Sequence, residues 1–73
     1  MDRIETRPDV CNGKPVIRGT RVTVRTILSH LSAGDTIADV LEAFPRLERE
    51  DVLACLTYAA RLGDVHSRLE MVS

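Results

Sequence analysis

Residues 23–62 read TVRTILSHLSAGDTIADVLEAFPRLEREDVLACLTYAARL, and one apolar spacing, i, i+3, i+4, i+7, recurs there three times. That spacing lines one face of a helix with 3.6 residues per turn, so each occurrence marks an amphipathic helix with a single buried stripe. The first stripe is Val24, Ile27, Leu28 and Leu31, the second is Ile37, Val40, Leu41 and Phe44, and the third is Val52, Cys55, Leu56 and Ala59. The punctuation agrees with the period. Thr23 is a good N-cap, Val22 is placed to staple onto Ile27, and Gly34 supplies a left-handed stop, which bounds the first helix at about residues 23–33. Thr36 caps the second helix with Asp39 reaching back, and Pro45 forces Phe44 out of helical geometry. Leu47 and Val52 are spaced as a hydrophobic staple opening a third helix, expected to end near Leu62 because Gly63 follows. Glu48, Glu50 and Asp51 suit the positive end of its dipole.

Ahead of the helices, Asn12-Gly13 is a tight-turn dipeptide, and Val16-Ile17 followed by Val22 are short β-prone stretches. A small hairpin is expected to pair Arg3–Thr6 with Pro15–Arg18, with Gly19 ending or bulging its second strand. The fold class expected is therefore mainly α: a three-helix helix-turn-helix domain, winged-helix or homeodomain-like, with a short N-terminal β-hairpin. The domain spans residues 1–63, and residues 64–73 form a C-terminal tail without a clear period.

With 73 residues, 44% of them hydrophobic, the chain has material for one small core and none for a second. A domain this short sits near the limit of independent stability, so a homodimer is expected. No run of about 18 apolar residues is available for a membrane span, and the first six residues carry charge where a signal peptide needs an apolar stretch. The expected location is cytoplasmic. Cys11 and Cys55 are too few for a disulfide framework and lack a second pair for zinc. Cys55 reads as a small buried hydrophobe.

Charge is unevenly distributed. Residues 1–25 carry six cations against three acids, a net +3, and residues 26–73 carry four arginines against eight acids, −4, which together restore the formal −1. The positive segment suits a phosphate backbone, with Lys14, Arg18, Thr20, Arg21 and Arg25 as candidate DNA contacts, whereas the acidic remainder repels nucleic acid. Thr20 and the arginines could equally satisfy carbonyls and carboxylates in a structural corner. His30 and His66 have no carboxylate or cysteine partner at ligand or triad spacing, so no catalytic constellation assembles, and neither an enzyme nor a cofactor is expected. A short helix, a turn at Phe44–Leu47 and a longer helix form a helix-turn-helix pattern. The first turn of that third helix is acidic, however, and faces phosphates unfavourably.

The stretch Asn12-Gly13-Lys14-Pro15-Val16-Ile17-Arg18-Gly19-Thr20-Arg21, followed by Val24, Ile27 and Leu28, then Ala33-Gly34-Asp35-Thr36, Phe44-Pro45 and Tyr58-Ala59, strongly resembles domain-of-unknown-function family four hundred thirty-three. The resemblance runs from about Ile4 to Ala60. It implies a VapB-type helix-turn-helix antitoxin, encoded beside a toxin with a PIN-like nuclease fold, that binds its own promoter DNA as a dimer. Such a toxin carries clustered carboxylates for its metals, and Arg61 and Arg68 are the cations available to meet them. Two positions depart from the family pattern: Asn12 stands where glycine is common, and Glu48 where a serine or threonine cap is common. Asparagine tolerates left-handed backbone, whereas Glu48 is expected to weaken the cap. The competing reading is a small dimeric protein-interaction module without DNA binding, favoured by the acidic third helix.

Overall fold

The computed structural model of the chain describes the backbone of residues 3–72 and the side chains of residues 3–62. It is a small, mainly helical fold with a short two-stranded antiparallel sheet at its N-terminus. Strand β1 (Ile4–Glu5) pairs with β2 (Val16–Ile17) in the register Ile4↔Ile17 and Glu5↔Val16. This lies inside the pairing expected from the sequence. Asn12 and Gly13 do form a left-handed turn, with Cys11, Asn12 and Gly13 at φ of 50°, 58° and 78°, but it lies within the longer connection of residues 6–15. Asn12 thus accepts the geometry that glycine would otherwise supply.

The other edge of β2 is covered by the chain folding back on itself. Val16 bridges Thr23, the Ile17 amide donates to the Val22 carbonyl at 2.9 Å, and Gly19 turns the chain between them at a φ of +78°. Glu5 braces this turn by accepting the Gly19 amide at 3.3 Å.

Helix α1 (Val24–Ser32) starts where the Thr23 hydroxyl accepts the Thr26 amide. It stops through a paired hydrogen-bond motif: the Asp35 amide donates to the His30 carbonyl and the Gly34 amide to that of Leu31. The motif needs left-handed backbone at its turning residue, and Gly34 takes a φ of +102°. Helix α2 (Ile37–Ala43) carries a complete reciprocal capping box between Thr36 and Asp39. The Thr36 amide first, and its hydroxyl second, hold the Asp39 carboxyl below its usual range.

Helix α3 (Arg49–Val72) departs from expectation in its length, because it runs through Gly63 and past the end expected near Leu62. A glycine inside a helix costs about 1 kcal/mol relative to alanine but removes no hydrogen bond, and no proline follows to enforce a stop. Residues 64–72 therefore continue the third helix.

The core gathers around Ile17, Ile27, Val40, Val52 and Cys55, with Ile4, Val24 and Leu47 beside them. Each helix contributes one stripe, and the centres of the first two are Ile27 and Val40, with Leu28 and Leu41 packed at the margin. The third stripe is rotated from the expected one. Leu56 is 40% exposed, and the buried face runs through Asp51, Val52 and Cys55 towards Tyr58. Both frames satisfy the same spacing rule, and the contacts of α3 with β1, α1 and α2 select between them. No helix among the described residues is long and apolar enough to cross a membrane.

Candidate functional site

Three arginines converge where the Gly19–Val22 turn faces the connection between α2 and α3. Arg7, Arg21 and Arg46 line a groove of about 600 Å³, with Thr20, Phe44 and Pro45 among its walls. The local structure explains the arrangement. Gly19 reverses the chain so that Arg18 and Arg21 flank a tight corner, and Pro45 ends α2 so that Arg46 leaves the helical path. All four side chains belong to exposed residues. Arg46 also lines an adjoining cleft with Arg18 and Arg3, beside Glu48 and Asp51, so a row of arginines runs from Arg7 to Arg18 with acids along its margin.

The neighbouring acids temper this edge unequally. Asp9 lies 3.6 Å from Arg7, and Glu5 lies 3.9 Å from the Arg18 Nε; both arginines are more than half exposed, so water weakens these pairs. Asp51 is different. It is buried, accepts Arg3 at 2.9 Å and accepts the Glu48 amide at 2.8 Å. The bond to Asp51 is also the largest cause raising the Arg3 pKa above its ordinary value. Asp51 thus supplies the reciprocal half of a capping box by accepting the Glu48 amide, while its own amide, which a hydroxyl at position 48 would accept, donates to the Glu48 carbonyl at 3.0 Å. Glu48 itself reaches Arg3 only at 3.4 Å and stays exposed.

The candidate DNA contacts do not form one cluster. Arg18, Thr20 and Arg21 stand along the basic edge, whereas Lys14 and Arg25 stand at the rim of a second cleft with Leu28, Tyr58 and Leu62. The Thr20 hydroxyl donates to the Ile17 carbonyl at 2.7 Å and accepts the Val22 amide at 3.0 Å. Its first task is thus the corner. Arg46 and Arg7 join the basic edge unheralded, since only the folded chain brings residues so far apart in sequence together. Arg61 is exposed and lines a shallow recess beside β1, and Arg68 lies outside the residues whose side chains are described.

His30 has an acid after all: its Nδ1 lies 2.9 Å from the Asp35 carboxylate, and its ring meets Phe44 edge-on at 5.4 Å. The helix stop at Gly34 creates this pair by turning Asp35 back over the last turn of α1. His66 lies outside the described side chains. Cys55 is buried, and burial followed by the nearby Asp51 charge pushes its thiol up to about 11. Among the described residues, no group of three histidine, cysteine or acidic side chains is gathered to hold a metal.

These features can be set beside known proteins. A stretch of 56 residues is 38% identical to the uncharacterized protein y4eO of Sinorhizobium fredii (strain NBRC 101917 / NGR234), covering 77% of this chain and 25% of that protein. The chain thus corresponds to about a quarter of that relative's length. The crystal structure of a DUF433 member protein from Anabaena variabilis ATCC 29413 matches with a TM-score of 0.80 at 29% identity, over 100% of this chain and 71% of that one. The profile described as Protein of unknown function (DUF433) matches residues 4–59, most of the chain. On that match, the chain belongs to the DUF433 family.

Proposed function

We propose that the chain is the antitoxin of a bacterial type II toxin–antitoxin pair: a homodimeric, cytoplasmic helix-turn-helix protein of the VapB type. In this reading it binds its own promoter DNA, restrains a nuclease toxin of PIN-like fold and catalyses nothing. The observation that carries the DNA half is the row of Arg7, Arg21, Arg46 and Arg18. Guanidinium groups spaced along an exposed corner suit phosphates, which dominate affinity for DNA and position the protein on the duplex. In the helix-turn-helix reading α2, the Phe44–Glu48 connection and α3 are the motif, yet the start of α3 carries exposed Glu48 and Glu50. Base reading by that turn is therefore not part of the proposal. The toxin half draws on Arg61, and on Arg68 outside the described side chains, as cations for the carboxylates of a metal-dependent nuclease. Leu53 and Leu56, each 40% exposed on α3, offer apolar surface for the second copy of a dimer.

The test of the DNA half is a gel-shift series against the chain's own upstream region at several salt concentrations. The wild-type chain is expected to bind with a steep salt dependence. The variant R18A/R21A/R46A is expected to bind more weakly and to lose about one unit of slope for each phosphate contact removed. An unchanged slope, or no shift by the wild type at low salt, refutes the DNA half. The latter result would favour the interaction-module reading, which the exposed leucines of α3 and its acidic start support. Sedimentation at tens of micromolar tests the dimer.

A further inference from the structure

The cleft between the Lys14–Pro15 segment, α1 and the middle of α3 is a surface of another kind. Its floor is Val24, Leu28, Tyr58 and Ala59, Leu62 stands half exposed at one end, and the cations Lys14 and Arg25 stand at the rim. The cleft holds about 690 Å³, and among the described residues no aspartate or glutamate lines it. In a chain with more acids than bases this combination is selective: an apolar floor, two cations and, among the described residues, no carboxylate on the lining.

Charge and symmetry narrow the occupant. A duplex would meet the two cations but leave the apolar floor against water. A second copy related by a two-fold axis through the cleft would set Lys14 and Arg25 against the same cations of its partner, an unfavourable juxtaposition where the described lining holds no acid. A second copy docked head-to-tail would build a ring of several copies or an open filament, not the two-fold dimer that is commonest among small oligomers. An amphipathic helix with an apolar face and flanking acids satisfies both the floor and the rim, in the helix-in-groove mode of recognition.

We infer that the Lys14–Arg25 cleft is the docking groove for an acid-flanked amphipathic helix of a protein partner. Identifying that partner with the nuclease rests on the function proposed above; the chemistry of the groove does not. The helix lays its leucine-type side chains over Leu28, Tyr58 and Leu62, and its acids face Lys14 and Arg25.

The probe is a labelled 18-residue helical peptide with leucines at i, i+3, i+4 and i+7 flanked by glutamates. Its counterpart carries lysine in place of every glutamate. Titrated by fluorescence anisotropy, the acidic peptide is expected to bind the full chain at least tenfold more tightly than the basic one. The exposed pair of changes K14E/R25E is expected to reverse that preference, and L62E to weaken the acidic peptide, with thermal melts confirming that both variants fold. Equal binding of the two peptides, or an unchanged preference in K14E/R25E, overturns the inference. So does displacement of the bound peptide by duplex DNA, or a sedimenting dimer that K14E/R25E abolishes. The product of the adjacent reading frame separates this from the antitoxin reading. If that protein binds wild type and K14E/R25E equally, the groove is wrong and the antitoxin reading stands. If it binds neither while the acidic peptide behaves as expected, the antitoxin reading fails and the groove stands.

Discussion

Replacing Asp51 by alanine removes one carboxylate that does two jobs, and the structure sets how much each is worth. The first is capping: the Glu48 amide donates to Asp51 at 2.8 Å, and an orphaned amide at a helix start typically costs about 1 kcal/mol, within a range of about 0.5–2. The second is the contact with Arg3 at 2.9 Å. Because the Arg3 side chain is 41% exposed, its freed guanidinium turns to water and adds little. The expected loss is therefore about 1–2 kcal/mol. In a domain of this size each kcal/mol moves the melting temperature by roughly 4–8 °C, so D51A should melt about 4–16 °C lower. Asp51→Asn keeps an amide oxygen able to accept the Glu48 amide and is expected to lose less than half as much. Glu50→Ala, in the same turn but exposed, is expected to stay within about 0.5 kcal/mol. Urea melts followed by circular dichroism measure all three. If D51A and E50A prove equal, Asp51 acts only through the helix dipole, and the capping argument is refuted.

Ile27→Ala and Val40→Ala remove fully buried side chains at the centres of their stripes; I27A is expected to cost about 2–5 kcal/mol, whereas Leu56→Ala should cost far less in the same melts. Since Asp39 has a lowered folded pKa, its contribution is complete above the unfolded value of 3.8 and is lost as pH falls through the folded one. Melting temperature should thus decline less steeply below about pH 4 in Asp39→Asn than in wild type, and parallel acid profiles would refute the capping box. Native chain should take up one thiol reagent, at Cys11, and a second only on unfolding, because Cys55 is buried with its thiol pushed up to about 11. Mass spectrometry counts the adducts, and two at neutral pH without denaturant would contradict the core.

Local rules were legible wherever one short segment contains all the partners. Thr23 with Thr26, Thr36 with Asp39, and Gly34 with the end of α1 each involve residues within a few positions, and each forms as the spacing implies. The same reasoning stops where two frames fit one pattern. On α3, the unbroken apolar run from Val52 to Leu56 encircles the helix, so periodicity alone could not place Leu56 outside, and Gly63 could not say whether a helix ends or merely weakens. The bond between Arg3 and Asp51 joins residues 48 positions apart, a pairing that no local rule anticipates.

The candidate site failed to be legible for a related reason, since charge along a chain is not charge on a surface. Six cations precede Thr26, yet the fold divides them: Arg3 goes to Asp51, Arg7, Arg18 and Arg21 to the basic edge, and Lys14 and Arg25 to the apolar cleft. The segment of net −4 meanwhile contributes Arg46 to the middle of that edge, because Pro45 releases it beside the Gly19 corner. A contrast between a basic N-terminal and an acidic C-terminal half therefore misstates the electrostatics. The useful division is between an exposed edge of guanidinium groups over mixed walls and a cation-rimmed apolar groove. Those two surfaces demand different ligands, because phosphates gain nothing from a leucine floor and an amphipathic helix gains little from a bare row of arginines.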